Sequence, residues 1–115
     1  MNNKIDRKIK RQIRTRSKIK GTADRPRLSV YKSNRFMYAQ LIDDEARKTI
    51  VGVSEKQIKE ALNGKIARAK AVGILLAKKA TDKKIKKVVF DRGPYSYHGR
   101  INGIAQGARE GGLEF

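Results

Sequence analysis

The spacing of hydrophobic and polar positions changes along this chain, and the changes divide it into elements. Leu28 and Val30 alternate with Ser29 and Tyr31, so "LSVYKS" reads as a strand with one apolar face. "SNR" at 33–35 is a tight turn. "FMYAQLI", residues 36–42, is a second strand with little alternation, which predicts that both its faces are covered. "DDEARK" turns the chain again, and "KTIVGV" at 48–53 is a β-branched third strand. Short links between the three predict an antiparallel meander.

The period then lengthens. "SEKQIKEAL" at 54–62 is ambiguous, although Ser54 and Gln57 fit a capping box for a short helix. Leu62, Ile66, Ala69, Gly73, Leu76 and Ala80 recur at spacings of three and four, which predicts an amphipathic helix over 63–80 with this set as its core stripe. Asn63 suits its N-cap, and Lys78 and Lys79 suit the negative end of its dipole. "KVVF" at 87–90 reads as a buried strand. "RINGIAQGAREGG" reads as a second helix, with Ile101, Ile104, Ala105 and Ala108 on its apolar face and Gly111–Gly112 as its stop. Gly103 and Gly107 inside it each cost about 1 kcal/mol relative to Ala. Four residues apart, they make a smooth stripe for close backbone approach; sheet packing is the expected reason and a ligand contact the alternative. The order β-β-β-α-β-α predicts an α/β fold. Its fourth strand, reached by a helical crossover, pairs parallel in a mixed sheet with helices packed on it. No internal repeat is visible.

Charge changes this picture from a fold to a partner. The 115 residues carry 29 Lys and Arg against 11 Asp and Glu, a net charge of +18. Such a chain repels itself unless an anion screens it. Nucleic acid is the first candidate and an anionic membrane surface the second. Eleven of the cations lie in residues 1–27, against Asp6 and Asp24. "GTADRPR" at 21–27 marks a boundary, so residues 1–24 are expected to be a basic arm, disordered when free, and 25–115 a single domain. Ile5, Ile9 and Ile13 would line one helical stripe of the arm once phosphates neutralise it. A membrane-surface helix wants Trp, Phe or Leu on its apolar face; this stripe has only isoleucine, so no membrane partner is expected. There is no cysteine, which excludes disulfides and thiolate metal sites. The longest apolar run, "AVGILLA", is too short to span a bilayer, and no signal-peptide core follows the first basic residues. The expectation is a soluble, cytoplasmic protein.

The densest chemistry is "VVFDRGPYSYHGRI" at 88–101. His98 is the one histidine, too few for an ordinary metal site, and no Ser-His-Asp set stands at a known spacing. Asp91, Asp43 and Asp44 end predicted strands, and nucleases of similar strand order gather such carboxylates around two metal ions. The milder reading is that "DDE" is a solvated turn and that Asp91, beside Arg92, forms an ion pair or cap. A contact surface explains more of the residues. Tyr95 and Tyr97 can stack on bases, arginines reach phosphates, and a loop entering a helix N-terminus offers free N–H groups. The alternative is a structural turn whose tyrosines complete the core, and both readings hold if one tyrosine turns inward and the other outward. Gly93 and Pro94 make the loop rigid. No catalytic residue, metal or cofactor is expected; the alternatives to specific RNA binding are a metal-dependent nuclease and a non-specific polyanion binder.

"RPRLSVYKSNRFMYAQLIDD" (25–44), "KKVVFDRGPYSYHGRI" (86–101) and the terminal "AREGGLEF" closely resemble the ribosomal protein L-eighteen family of the bacterial large subunit. The likeness runs from about Lys18 to Phe115. It departs at Pro94, where the family commonly has a second glycine, and at Ser96, where a larger apolar residue is usual. The resemblance implies a ribonuclease-H-like mixed sheet with a flexible basic arm and no enzymatic activity. It also implies a monomer within the ribosome that binds 5S ribosomal RNA. That RNA is seated in the central protuberance, with ribosomal protein L-five as neighbour and 23S RNA as a further contact. The shared topology does not carry the nuclease chemistry. Carried onto this chain, the family's RNA-contact regions fall on Arg7, Lys8, Lys10, Arg11, Arg14, Arg16 and Lys18 of the arm. They fall also on Lys32, Ser33, Asn34 and Arg35, and on Arg92, Tyr95, Tyr97, His98 and Arg100.

Overall fold

Three strands and their turns follow the period-two pattern closely. The structure, a computed structural model of the chain, describes residues 20–58, 64–95 and 99–115. Strand β1 is Arg27–Lys32, β2 is Met37–Asp43 and β3 is Lys48–Ser54. They pair antiparallel, with Val30 opposite Ala39 and Leu41 opposite Val51. The turn between β1 and β2 is closed by Ser33, whose N–H donates to the Phe36 carbonyl at 3.0 Å and whose Oγ accepts from the Phe36 N–H at 3.1 Å. The turn between β2 and β3 is held by Asp43, whose Oδ1 accepts from the N–H groups of Glu45 and Ala46.

A three-residue 3₁₀ helix, Glu55–Gln57, follows β3 with the expected capping box. Ser54 Oγ accepts from the Lys56 N–H, and Gln57 Oε1 accepts from the Ser54 N–H at 3.1 Å. Helix α1 is Lys65–Asp82, strand β4 is Val89–Asp91 and helix α2 is Gly99–Glu110. The sheet order is β3-β2-β1-β4, and β4 runs parallel to β1, as the crossover predicts. Leu62 and Asn63, expected in the α1 stripe and at its cap, lie outside the described residues.

Four expectations are corrected. β2 alternates strictly, with Met37, Ala39, Leu41 and Asp43 buried and Tyr38, Gln40 and Ile42 half-exposed. Its second face looks apolar in sequence because Tyr38 and Ile42 occupy it, but among the described residues no helix covers it. Ile66 is 56% exposed rather than core. It stands in the first turn of α1, at the rim of the helix pair; the buried face is Ala69, Val72, Gly73, Leu76, Ala77 and Ala80. The fourth strand starts at Val89 instead of Lys87, because 86–88 pair with the C-terminal segment: the Glu114 N–H donates to the Lys86 carbonyl and the Val88 N–H to the Glu114 carbonyl. Gly103 and Gly107 face a helix, not the sheet. A Cβ on Gly107 would fall on the Lys70 carbonyl, and one on Gly73 on the Ile104 carbonyl, so the two backbones meet where side chains are missing.

α1 lies against β2 and β3, and α2 packs along α1. Leu28, Met37, Leu41, Leu76 and Ile104 are fully enclosed in the resulting core. Burial of each such side chain contributes about 1.5–3 kcal/mol.

Candidate ribonucleic-acid interface

Because β1 and β4 are parallel neighbours, the segments leaving their carboxyl ends emerge side by side. One is the 32–35 turn; the other is the 92–95 loop. Crevices at such ends are where open α/β sheets take their ligands. The two segments, 63 residues apart, are joined by one side chain: the Lys32 N–H donates to Tyr95 Oη at 3.2 Å, and the Tyr95 ring packs on the core. Tyr95 thus turns inward and positions both loops. Gly93 has φ 65°, a conformation that favours glycine, and its N–H donates to Asp91 Oδ1 at 2.8 Å. The Tyr95 N–H returns to the Arg92 carbonyl at 3.4 Å, so Pro94 sits inside a closed turn.

Lys32, Asn34, Arg35 and Arg92 are exposed around this end of the sheet, and Ser33 is the residue that shapes the turn. Arg100 is different. Its side chain is 11% exposed and its Nη2 lies 3.6 Å from Oε1 of the buried Glu55, which also faces Arg68 Nε at 3.5 Å through Oε2. Glu55 draws the first turns of both helices toward the end of β3. Nothing in the sequence pattern marked Glu55 or Arg68, since an acidic residue at a helix start is ordinarily a surface feature. Arg7, Lys8, Lys10, Arg11, Arg14, Arg16, Lys18, Tyr97 and His98 lie outside the described residues.

The carboxylates that suggested a nuclease are committed elsewhere. Asp91 is fully buried, and its Oδ2 accepts from Arg27 Nη1 at 2.7 Å. Asp44 takes Arg27 Nε and Nη2 at 3.1 and 3.0 Å, and accepts the Gly21 N–H through Oδ2. "DDE" is therefore no solvated turn: Asp43 is buried and Asp44 paired. Asp91 is an ion pair and a cap as expected, but its cation is Arg27 across the sheet rather than adjacent Arg92. Arg27, counted with the arm's cations, is a buried strand residue. Burial pulls its guanidinium pKa down, but the hydrogen bonds and charges of Asp44 and Asp91 outweigh this, and the net direction is up.

The family model described as ribosomal L18 of archaea, bacteria, mitochondria and chloroplast matches residues 2–115. The chain belongs to the ribosomal L18 family. A large ribosomal subunit protein uL18 from Kosmotoga olearia is 56% identical over 110 residues, covering 92% of this chain and 90% of the relative. Those of Clostridium novyi and Staphylococcus haemolyticus are 50% and 49% identical, over 98% and 100% of this chain and 96% and 100% of the relatives. This chain is thus a structural, rRNA-binding protein of the large ribosomal subunit that serves translation and is not an enzyme, and its bacterial relatives place it in the cytoplasmic ribosome.

Proposed function

We propose that this L18-family chain binds 5S ribosomal RNA and helps to seat it in the central protuberance, beside ribosomal protein L-five and in contact with 23S RNA. The observation that carries the reading is the Tyr95 bridge. It fixes Lys32, Arg35 and Arg92 as one exposed cationic rim on a rigid end of the sheet. Residues 1–24 are the arm in this reading: Arg7, Lys8, Lys10, Arg11, Arg14, Arg16 and Lys18 capture phosphates and give most of the affinity. The fixed loops then select shape, because the deep major groove of an RNA duplex is closed to side chains and specificity must come from backbone shape, 2′-hydroxyls and unstacked bases. In this reading Tyr97 and His98 complete the contact set, while Arg100 is held by Glu55 and is spent on the fold.

The test is a gel shift with 5S RNA against a scrambled transcript of equal length at near-physiological salt. Preference for 5S RNA is the expected result, and equal binding of the two would overturn the reading. Protection mapping of the complex would locate the loops on the RNA.

A further inference from the structure

The sheet face turned away from the helices has a chemistry unlike the rest of the surface. Ser29 and Tyr31 of β1, Tyr38 and Gln40 of β2, and Gly52 and Ser54 of β3 share it, with Tyr31 opposite Tyr38 and Gln40 opposite Gly52. They line a shallow cavity of about 340 Å³. None of the residues lining it is charged, although 35% of the chain is. A merely solvated face of so basic a protein would carry lysine or arginine. Instead it presents two aromatic rings, 5.8 Å apart and tilted by 45°, with Tyr31 57% exposed.

Gly52 is the more telling residue. A Cβ there would meet nothing within 4 Å, and its φ is not among the positive ones. Neither packing nor backbone conformation calls for glycine, and glycine inside a strand weakens it. What it does is keep the floor beside the rings flat. Arg35, in the turn between β1 and β2, and Lys56, just past the end of β3, are exposed at the Tyr31–Tyr38 edge of this face, with Lys56 Nζ 5.1 Å from the centre of the Phe36 ring; Lys32, opposite Met37, belongs to the helix side. Cations on the rim and a neutral aromatic floor suit unpaired nucleotides, with phosphates at the edge and bases on the rings. An acidic peptide would want its cations in the floor, and an apolar partner would want no hydroxyl or amide groups there.

We infer that this face seats an unpaired base of the bound ribosomal RNA, stacked on Tyr31 and Tyr38 over Gly52. The inference rests on the RNA-binding reading above and gives it a second, uncharged contact. The experiment uses the full chain with 5S and scrambled transcripts, each at several salt concentrations. Tyr31→Ala weakens binding by about 5- to 150-fold, the range that loss of one base stack produces, while Tyr31→Phe keeps it. The salt slope stays unchanged, because no phosphate contact is lost. Gly52→Val leaves the melting temperature equal or higher yet weakens binding on the order of tenfold; this variant decides the matter if Tyr31→Ala folds poorly. Wild-type affinity in Tyr31→Ala and Gly52→Val would overturn the seat and point to a protein occupant. The ratio of variant to wild type on each transcript judges the seat. The ratio between transcripts judges the 5S reading, so either can fail without the other.

Discussion

The two ends of β1 carry cations with opposite fates. At its start, Arg27 is buried and held by Asp44 and Asp91, and through Asp44 it is tied to the backbone of Gly21. At its end, Lys32 is exposed, and Arg35 and Arg92 stand near it in the same state. Arg27 and Lys32 lie only five positions apart. The difference lies in the carboxylates: Asp44, just past β2, and Asp91 of β4 arrive at one end, while among the described ion pairs no carboxylate faces the cations at the other. Net charge therefore misstates how much positive surface this protein offers. Arg27, Arg68 and Arg100 serve the fold; the exposed cations serve a polyanion.

This contrast can be broken most severely with salt. If the exposed cations neutralise six to ten phosphates, raising salt from about 50 to 200 mM should lower RNA affinity by roughly 10³–10⁵ on the duplex-DNA scale. The fold, read by circular dichroism, should not change. Next in size, Arg27→Ala strands the buried Asp91 and should destabilise the domain by about 3–5 kcal/mol in urea unfolding. The raised pKa of Arg27 means that its contribution is present at every pH below the ordinary arginine value and is lost only as pH climbs through the raised one. The deficit of the alanine variant should thus be nearly constant between neutral and mildly alkaline pH. Tyr95→Phe removes the hydroxyl that joins the two loops and should cost about 0.5–1.5 kcal/mol of stability. Its preference for 5S over scrambled RNA should fall further than its total affinity. Least of all, Lys32→Ala, Arg35→Ala and Arg92→Ala should each move stability by under about 0.5 kcal/mol. Each should nonetheless reduce the salt slope by about 0.7–0.9 per phosphate lost, which separates them from Arg27.

The same contrast shows what was legible in sequence. The alternation of Leu28 and Val30 with Ser29 and Tyr31 placed β1 correctly, and the Ser54–Gln57 capping box was found by spacing alone. These are local, set within a few residues by sterics and hydrogen bonding. β2 was misjudged because Tyr38 and Ile42 look like core residues, and only the position of the helices shows that no described helix covers their face. Gly103 and Gly107 were recognised as a close-approach stripe, but the partner that approaches, α1, was not. In the candidate site, "YKSNR" and "DRGPY" were each marked as contact regions, whereas the bond from Lys32 to Tyr95 that unites them was invisible.

The sequence by itself determined the element order, the parallel fourth strand, the family and the need for a polyanionic partner. The family follows from the resemblance of three stretches of sequence, and the rest from residue spacing, chain connectivity and net charge, which are properties of the chain taken in order. Only the tertiary structure decided which cations are spent on folding, that Tyr95 points inward and which sheet face no described helix covers. Those outcomes depend on what distant segments bring alongside, and a carboxylate arriving from another strand decides whether an arginine becomes core or surface.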